Sequence, residues 1–150
     1  MPKTIALDAN LLVLLVVGLT NPKYIATHRR LGSYTIANYE LLTRLIAVSA
    51  GIVVTPNALS EASNLLRQIG EPAKSQISDR FRSLIQRSSE IYVPSVDACS
   101  RREFFRLGLA DSAMLEAGKQ NLLILSTDAK LCIAAHNAGY ESLNFTHYLF

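Results

Sequence analysis

Short apolar segments alternate with helical patterns along the chain, and this alternation constrains the fold more than any other feature. Residues 3–7, 51–55, 91–94 and 122–125 are apolar segments of strand length. The stretches between them place hydrophobic residues at helical spacing. This alternation predicts an α/β fold in three α/β/α layers, with helices on both faces of a mainly parallel central sheet.

The intervening pattern also gives approximate element bounds. Helices are expected over residues 10–19, 34–50, 56–69, 75–88, 110–120 and 129–137, a loop over 23–33 and an edge strand over 141–145. A further helical pattern contains Arg101, Arg102 and Arg106. No internal repeat or linker-like composition interrupts the 150 residues. We therefore expect one domain over residues 1–150.

The apolar composition raises the question of a membrane segment. The mean hydropathy is +0.20, yet the strongest apolar run covers only residues 11–18, far short of the roughly 20 residues that span a bilayer. Asp8 directly before the run and Lys3 as the lone early cation fit a secretory signal poorly. We expect a cytoplasmic protein in which this run is a helix buried on most sides, in the core or partly in a subunit interface.

The cysteines and histidines show no metal-binding spacing. Cys99 and Cys132 form no CxxC pair and are expected to be buried thiols in a reducing compartment. His28, His136 and His147 are dispersed and are expected at the surface or in packing roles. No zinc site is therefore predicted.

Positive charge is concentrated in the middle third of the chain. The formal net charge is +3 and the pI is near 9.0. The cations of this segment are Arg67, Lys74, Arg80, Arg82, Arg87, Arg101, Arg102 and Arg106. Acidic residues, among them Asp79 and Glu103, are interleaved with them. The pattern fits either a rim that binds a polyanion or an ion-paired helix surface, and the sequence leaves both open.

Four carboxylates are placed to meet at one edge of the predicted sheet. Asp8 directly follows the first strand, and Asp128 follows the last of the four apolar strands. Glu61 lies in the helix after the second strand, and Asp111 opens a helix later in the chain. Right-handed crossovers bring the carboxyl ends of parallel strands to a common edge, where ligand sites form. We refer to these residues as the four acids.

Each of the four acids also has a purely structural interpretation. An Asp between a strand and a helix often caps the helix, which applies to three of them, and Glu61 could be solvated surface. Asp79 and Glu103 lack the edge placement and are expected to be solvated. Carboxylates gathered beside apolar strands, however, repel one another unless they bind a cation or take up protons. Oxygen ligands without Cys or His fit Mg²⁺ or Mn²⁺.

Four short segments resemble, in order, the motifs of PIN-domain ribonucleases. Residues 5–12 (IALDANLL) resemble the opening strand followed by Asp-x-Asn, and residues 55–61 (TPNALSE) the second motif, in which Glu follows a strand and a helix start. Residues 108–113 (GLADSA) resemble the Ala-Asp motif, and residues 125–128 (LSTD) an apolar strand that ends in Thr-Asp. The resemblance runs from residue 3 to about residue 145.

This resemblance implies a PIN fold and an endoribonuclease dependent on Mg²⁺ or Mn²⁺, with the four acids as catalytic metal ligands. It also implies a homodimer and, often, a toxin of the VapC type held inactive by an antitoxin. Asn10 and Thr127 would fix the carboxylates by hydrogen bonds, or serve only as cap or turn residues. Arg29, Arg30 and Lys130 are expected to contact the RNA backbone.

The sequence departs from the family pattern in two places. The stretch over residues 19–50 is longer than in the most compact toxins, which reshapes the expected entrance to the site. Ala129 and Lys130 follow Asp128 where many relatives have a second acid. Asp128 is therefore the most conditional of the four ligands and is expected to act directly or through water.

Other functions remain open at this stage. A PIN-like module that binds RNA or protein without cutting is one alternative. A structure-specific DNA nuclease is another, since related folds use similar acids. A phosphatase of the haloacid dehalogenase type is disfavoured because Asn10 replaces the second acid of its Asp-x-Asp motif. The sequence contains neither GxxxxGK[ST] nor GxGxxG, so NTP and dinucleotide binding are not expected.

Overall fold

A computed structural model of the chain describes residues 2–149. One five-stranded sheet has the order β3-β2-β1-β4-β5, and each neighbouring pair is parallel. The strands are β1 (Ile5–Leu7), β2 (Ile52–Val54), β3 (Ser89–Glu90), β4 (Leu123–Ser126) and β5 (Glu141–Asn144). The predicted α/β fold with a parallel central sheet is confirmed.

Helices connect the strands and cover the sheet. They are α1 (Ala9–Thr20), α2 (Ile36–Ala47), α3 (Pro56–Leu66), α4 (Ala73–Arg87), α5 (Ser95–Cys99), α6 (Phe104–Ala117) and α7 (Ala129–Asn137), with 3₁₀ helices at Pro22–Ile25, Gly118–Gln120 and Phe145–Tyr148. The strand order changes direction after β3, so right-handed crossovers place α1–α4 on one face and α5–α7 on the other. This is the three-layer arrangement that the alternation predicts. Within residues 2–149, no helix is long and apolar enough to cross a membrane.

Helix α1 forms the centre of one layer. All its residues from Ala9 to Gly18 except Asn10 are buried, as the apolar run predicts. Helices α2, α3 and α4 of the same chain pack against it, and Gly18 lets the ring of Tyr39 approach its backbone closely. The chain itself covers this helix, so the alternative of partial burial in a subunit interface is not needed.

The third strand differs from its predicted position. The apolar segment over residues 91–94 was the expected strand, but Ser89 and Glu90 pair with β2 instead. The amide of Ile91 donates one more hydrogen bond to the Val54 carbonyl, and the chain then leaves the sheet. Tyr92 is 75% exposed, because a two-residue edge strand leaves the side chains beyond it uncovered.

Two predicted side-chain environments are also wrong. Cys99 is exposed at the end of the short surface helix α5, whereas Cys132 is buried as expected; both thiols are free. Glu103 is only 6% exposed, because Arg101 Nη2 lies 3.2 Å from its Oε2. Arg101 Nη1 also lies 3.2 Å from Glu116 Oε2. Part of the basic middle third is therefore internal ion pairing.

His28 attaches the segment between α1 and α2 to the end of α3. Its Nδ1 accepts a hydrogen bond from the Arg30 amide at 3.1 Å, so its Nε2 carries the proton and donates to the Leu66 carbonyl at 3.1 Å. Burial lowers the pKa of His28, which favours this neutral form. The predicted packing role is confirmed for His28, and His136 and His147 are exposed.

Candidate active site

The candidate site lies where the direction of the strand order changes. Strands β1 and β4 are neighbours, but the connections that follow them run to opposite faces of the sheet. Such a switch point opens a crevice at the carboxyl ends of the strands. Asp8 follows β1, and residues 126–128 end β4 and begin the turn into α7. Both segments therefore flank the crevice.

Asp8 is almost fully engaged in hydrogen bonds. It is 7% exposed, and its Oδ1 accepts the Leu11 amide at 2.9 Å, which caps α1. Its Oδ2 accepts the Ser126 hydroxyl at 2.6 Å and the Thr127 amide at 2.9 Å. A carboxylate offers about four lone-pair positions, so one position remains, on Oδ1.

The environment of Asp8 disfavours its ionised form. Burial raises the pKa of Asp8, and the hydrogen bonds from Ser126, Leu11 and Thr127 lower it less than burial raises it. The neighbouring charge of Asp128 raises it further. A cation beside Asp8 would therefore stabilise its ionised form.

Ser126 connects two of the acids and was missed from the sequence. It is fully buried; its hydroxyl donates to Asp8 Oδ2 and accepts the Asp128 amide at 2.9 Å. Sequence reasoning named its neighbour Thr127, whose backbone amide, rather than its side chain, bonds Asp8. The available signal was a single polar residue at the end of the otherwise apolar strand β4.

Asp128 caps helix α7. Its Oδ1 accepts the amides of Lys130 at 2.8 Å and Leu131 at 3.4 Å. The capping interpretation is therefore correct for both Asp8 and Asp128. Within the described residues, no amide or hydroxyl donates to Oδ2 of Asp128.

A break in α6 places Asp111. Gly108 has φ 81° and ψ −179° inside this helix, so the helical backbone starts again after it and Asp111 lies in the first turn of the second part. The break agrees with the predicted helix start near residue 110. Over residues 2–149, the Asp111 side chain accepts no hydrogen bond from a capped amide, so the capping interpretation does not hold for it.

The pKa of Asp111 responds to the charges of the other three acids. Burial, followed by the charge and hydrogen bond of Asp128 and then the charges of Asp8 and Glu61, raises the pKa of Asp111 to about 7. The Asp111 and Asp128 carboxyl groups are close enough to share a proton. Asp111 is therefore paired with Asp128 and lies within range of the charges of Asp8 and Glu61.

The remaining predicted residues are less closely engaged. Glu61 is exposed on α3, and its side chain forms no hydrogen bond among the described residues. Asn10 is exposed and bonds none of the four acids within residues 2–149; the donors to Asp8 are Leu11, Ser126 and Thr127 instead. Its predicted role of fixing a carboxylate is therefore not observed.

Tyr34 is a second residue that sequence reasoning missed. Its hydroxyl lies near the Thr127 side chain, and burial, followed by the charge of Asp8, raises its pKa. Tyr34 belongs to the long segment before α2, so that segment does approach the crevice. Nothing in its local sequence distinguishes Tyr34 from a packing tyrosine.

The three predicted RNA-contacting cations are all exposed, and none forms an ion pair within residues 2–149. Lys130 lies in the turn that Asp128 caps, next to the crevice. Arg29 and Arg30 lie in the segment that His28 attaches to α3. Lys130 is thus the cation with the clearest link to the acids.

The donor chemistry of the site fits a hard divalent cation. Its available donors are carboxylate oxygens, and burial together with the nearby acids raises the pKa of the Cys132 thiol, which favours its protonated form. Among residues 2–149, no group of three or more His, Cys, Asp or Glu side chains is placed so that it could hold a metal ion. Asp8 and Asp128 are linked through Ser126, Asp111 pairs with Asp128, and Glu61 is related to them through its charge on Asp111.

Comparisons with protein-family models, with curated proteins and with solved structures each find no significant match to this chain.

Proposed function

We propose that this protein is a divalent-metal-dependent endoribonuclease of the PIN type, which hydrolyses RNA phosphodiester bonds with Mg²⁺ or Mn²⁺. One observation carries the proposal: Asp8 and Asp128 share the Ser126 hydroxyl at the switch point of a parallel sheet, and Asp111 responds to the charges of Asp128, Asp8 and Glu61. The four motif resemblances support the same assignment.

The acids provide the ligands that such an ion prefers. Asp111, Asp128 Oδ2, Glu61 and the remaining position on Asp8 Oδ1 would hold it. When bound, the ion supplies a water of lowered pKa and neutralises charge that develops at phosphorus. Its positive charge also offsets the repulsion among the carboxylates, which in its absence favours a proton on Asp111 near neutral pH.

Other residues of the chain position this chemistry. Ser126 and the Thr127 amide hold Asp8 in one orientation before any ligand arrives. Glu61 is exposed at the rim and would orient the attacking water. Lys130 would attract the phosphate backbone toward the crevice.

A matched pair of glutamate variants tests the activity. Glu61→Gln should lower RNA cleavage in Mn²⁺ by at least about 100-fold, because it removes a ligand without disturbing the fold. Glu40→Gln, an equally exposed glutamate on α2, should cleave like the wild type. Equal cleavage by Glu61→Gln and the wild type would remove Glu61 from the site, and no Mn²⁺-dependent cleavage by the wild type would refute the proposal.

Asp8→Asn is expected to abolish cleavage, but this variant changes the hydrogen bonds that support the fold as well as the proposed metal ligand. Asparagine can still cap the Leu11 amide with its oxygen. Its amide nitrogen would then face the Thr127 N–H, which also needs an acceptor. We therefore expect this variant to lose stability as well as activity.

The proposal extends to a cytoplasmic toxin that forms a homodimer and is inhibited by a small antitoxin protein. Expression of the chain alone should arrest growth, and Glu61→Gln should relieve the arrest. A purified protein that cleaves RNA but leaves growth unaffected would instead indicate RNA processing. Light scattering at twice the chain mass of 16.5 kDa would support the dimer.

A PIN-like domain that binds RNA or protein without cutting is the second candidate. The observation that favours it is the engagement of three lone-pair positions of Asp8 within the protein. Such a domain should show neither Mn²⁺-dependent stabilisation nor cleavage. Running the same assay on single-stranded and branched DNA separates the third alternative, a structure-specific DNA nuclease.

A further inference from the structure

Exposed apolar side chains line a groove between the first turn of α6 and the outer face of α7. Phe105 is 93% exposed and Ile133 is 60% exposed. Together with Arg106 and Lys130 they line a cavity of about 410 Å³. We call this feature the α6/α7 groove. Exposed apolar side chains that lie together around a cavity, as Phe105 and Ile133 do, are a recognised mark of an interaction site.

The groove is bordered by cations that are not neutralised within the protein. Arg102, Arg106 and Lys130 are exposed and form no ion pair among the described residues. Arg101, by contrast, is committed to Glu103 and Glu116. The three free cations therefore give the groove a positive potential that a polyanion would complement.

The groove begins at the acid site. The Lys130 amide donates to Asp128 Oδ1 at 2.8 Å, so the first turn of α7 belongs to both features. Lys130, Ile133 and Asn137 follow one face of α7 away from the acids, over a helix about 13 Å long. A second cavity, lined by Arg102, shares Arg106 and Asn137 with the first and continues the groove.

The ring of Phe105 is held in place at its edge. It packs against Phe104 in an edge-to-face arrangement, with ring centroids 5.6 Å apart and an interplanar angle of 66°. The residue nevertheless remains almost wholly exposed. An oriented ring of this kind is available for a flat partner to stack on.

We propose that the α6/α7 groove binds an unpaired segment of the RNA strand that enters the acid site, with one base stacked on Phe105 and phosphates bound by Arg106 and Lys130. This inference rests on the proposed nuclease function and adds that the substrate is single-stranded beside the cleavage point. Paired bases are stacked on their neighbours and cannot stack on a protein ring, whereas unpaired bases can.

Direct continuity with the carboxylates favours a nucleic-acid strand over an acidic protein segment. The cation nearest the acids, Lys130, follows Asp128 by two residues, so a chain bound along the groove passes the site that would cut it. A docked amphipathic helix, in contrast, needs a row of apolar anchors. In the groove, Phe105 and Ile133 are the large, exposed apolar side chains.

Binding measured without cleavage tests the inference. The probe is a fluorescent oligouridylate of about 12 nucleotides, within the range of single-strand sites, and EDTA is present. Phe105→Ala should weaken binding roughly tenfold, and Phe105→Tyr should retain it. Arg106→Gln should reduce the slope of log affinity against log salt by about 0.7. The matched controls Tyr92→Ala and Arg87→Gln, both exposed and outside the groove, should bind like the wild type.

Three outcomes overturn the inference. The first is wild-type binding by both Phe105→Ala and Arg106→Gln. The second is a duplex of the same length that binds as tightly as the single strand. The third is polyglutamate that binds more tightly than the oligouridylate in a Phe105-dependent manner, which would assign the groove to an acidic protein. Phe105-dependent binding without Mn²⁺-dependent cleavage would refute the nuclease function alone, and cleavage with no groove dependence of binding would refute the groove alone.

Discussion

The Ser126 hydroxyl donates a 2.6 Å hydrogen bond to the Asp8 carboxylate and joins residues 118 positions apart in the chain. The bond ties the end of β4 to the end of β1 across the switch point. The same hydroxyl accepts the Asp128 amide, so one buried side chain sets the relative position of two acids.

Ser126→Ala should therefore reduce both stability and activity. Removal of a buried hydrogen bond to a charged group is expected to lower the free energy of unfolding by about 1.5–3 kcal/mol, measured by urea titration. Cleavage should fall by roughly 10–100-fold, as for other residues that orient metal ligands. Ser60→Ala, at an exposed position on α3, is the control. Equal unfolding midpoints for the two variants would show that the Ser126 bond does not support the site.

Asp111 should make the metal-free protein less stable as pH rises. Its pKa is about 7 in the folded protein against 3.8 ordinarily, so the folded state holds its proton more tightly than the unfolded chain. The stability that this provides is complete below pH 3.8 and is lost as pH rises through about 7. Asp111→Asn, neutral at every pH, should remove this loss, which is of order 2–4 kcal/mol.

The measurement is the free energy of unfolding in EDTA at pH 4.5 and pH 8 for the wild type and the variant. Asp97→Asn is the control, because Asp97 is exposed on α5 and forms no ion pair among the described residues. A wild type and an Asp111→Asn variant with the same pH dependence would show that the acids do not interact.

Gly108→Ala should destabilise the protein and displace Asp111. Gly108 combines φ 81° with ψ −179°, a backbone region open essentially to glycine alone, and a side chain there costs about 1–3 kcal/mol. Gly32→Ala isolates the conformational effect, since an added Cβ meets nothing within 4 Å at either glycine and Gly32 lacks the positive φ. Melting temperatures compare the two. A Gly108→Ala variant as stable as Gly32→Ala would mean that the break in α6 does not depend on glycine.

His28 should make the protein less stable in acid. Its folded pKa is lowered from the ordinary 6.5 by burial, so its contribution is complete above pH 6.5 and is lost as pH falls through its folded pKa. Protonation also removes the acceptor of the Arg30 amide. His28→Gln should lose about 1 kcal/mol at neutral pH and show a smaller loss between pH 7.5 and 5.5.

His136→Gln, at an exposed position on α7, should keep the wild-type acid dependence. The measurement is the free energy of unfolding of the wild type and of both variants at pH 7.5 and pH 5.5. An unchanged pH dependence in His28→Gln would show that His28 does not cause the loss of stability in acid.

Elements with strong local signals could be predicted from the sequence. The bounds of α7 match the expected residues 129–137, since Asp128 caps its start and Gly139, with φ 83°, follows its end. Strand β3 was misplaced because Ser89 and Glu90 have no apolar signature, and pairing with β2 alone makes them a strand. The local pattern was therefore sufficient to predict α7. The position of β3 could not be predicted because it depends on tertiary pairing.

In the candidate site, too, some features could be predicted from the sequence, whereas others depend on tertiary contacts. Parallel-strand topology was enough to predict that Asp8 and Asp128 lie at the same edge of the sheet, where both contact Ser126. The contacts of Ser126 and Tyr34 depend on how two strand ends and a long segment meet in space, which no local pattern contains. Glu103 was misjudged for the same reason, because its partner Arg101 is held from the other side by Glu116, 15 residues away from Arg101.

Cleavage of single-stranded RNA by Asp111→Asn in Mn²⁺ shows whether the acids form a metal-dependent nuclease site. This variant removes a ligand, keeps the hydrogen bonds of Asp8 and Asp128, and should be at least as stable as the wild type at pH 8. We expect Mn²⁺-dependent cleavage by the wild type that falls by at least about 100-fold in the folded variant. Wild-type cleavage by Asp111→Asn, or cleavage by the wild type that persists unchanged in EDTA, would contradict it.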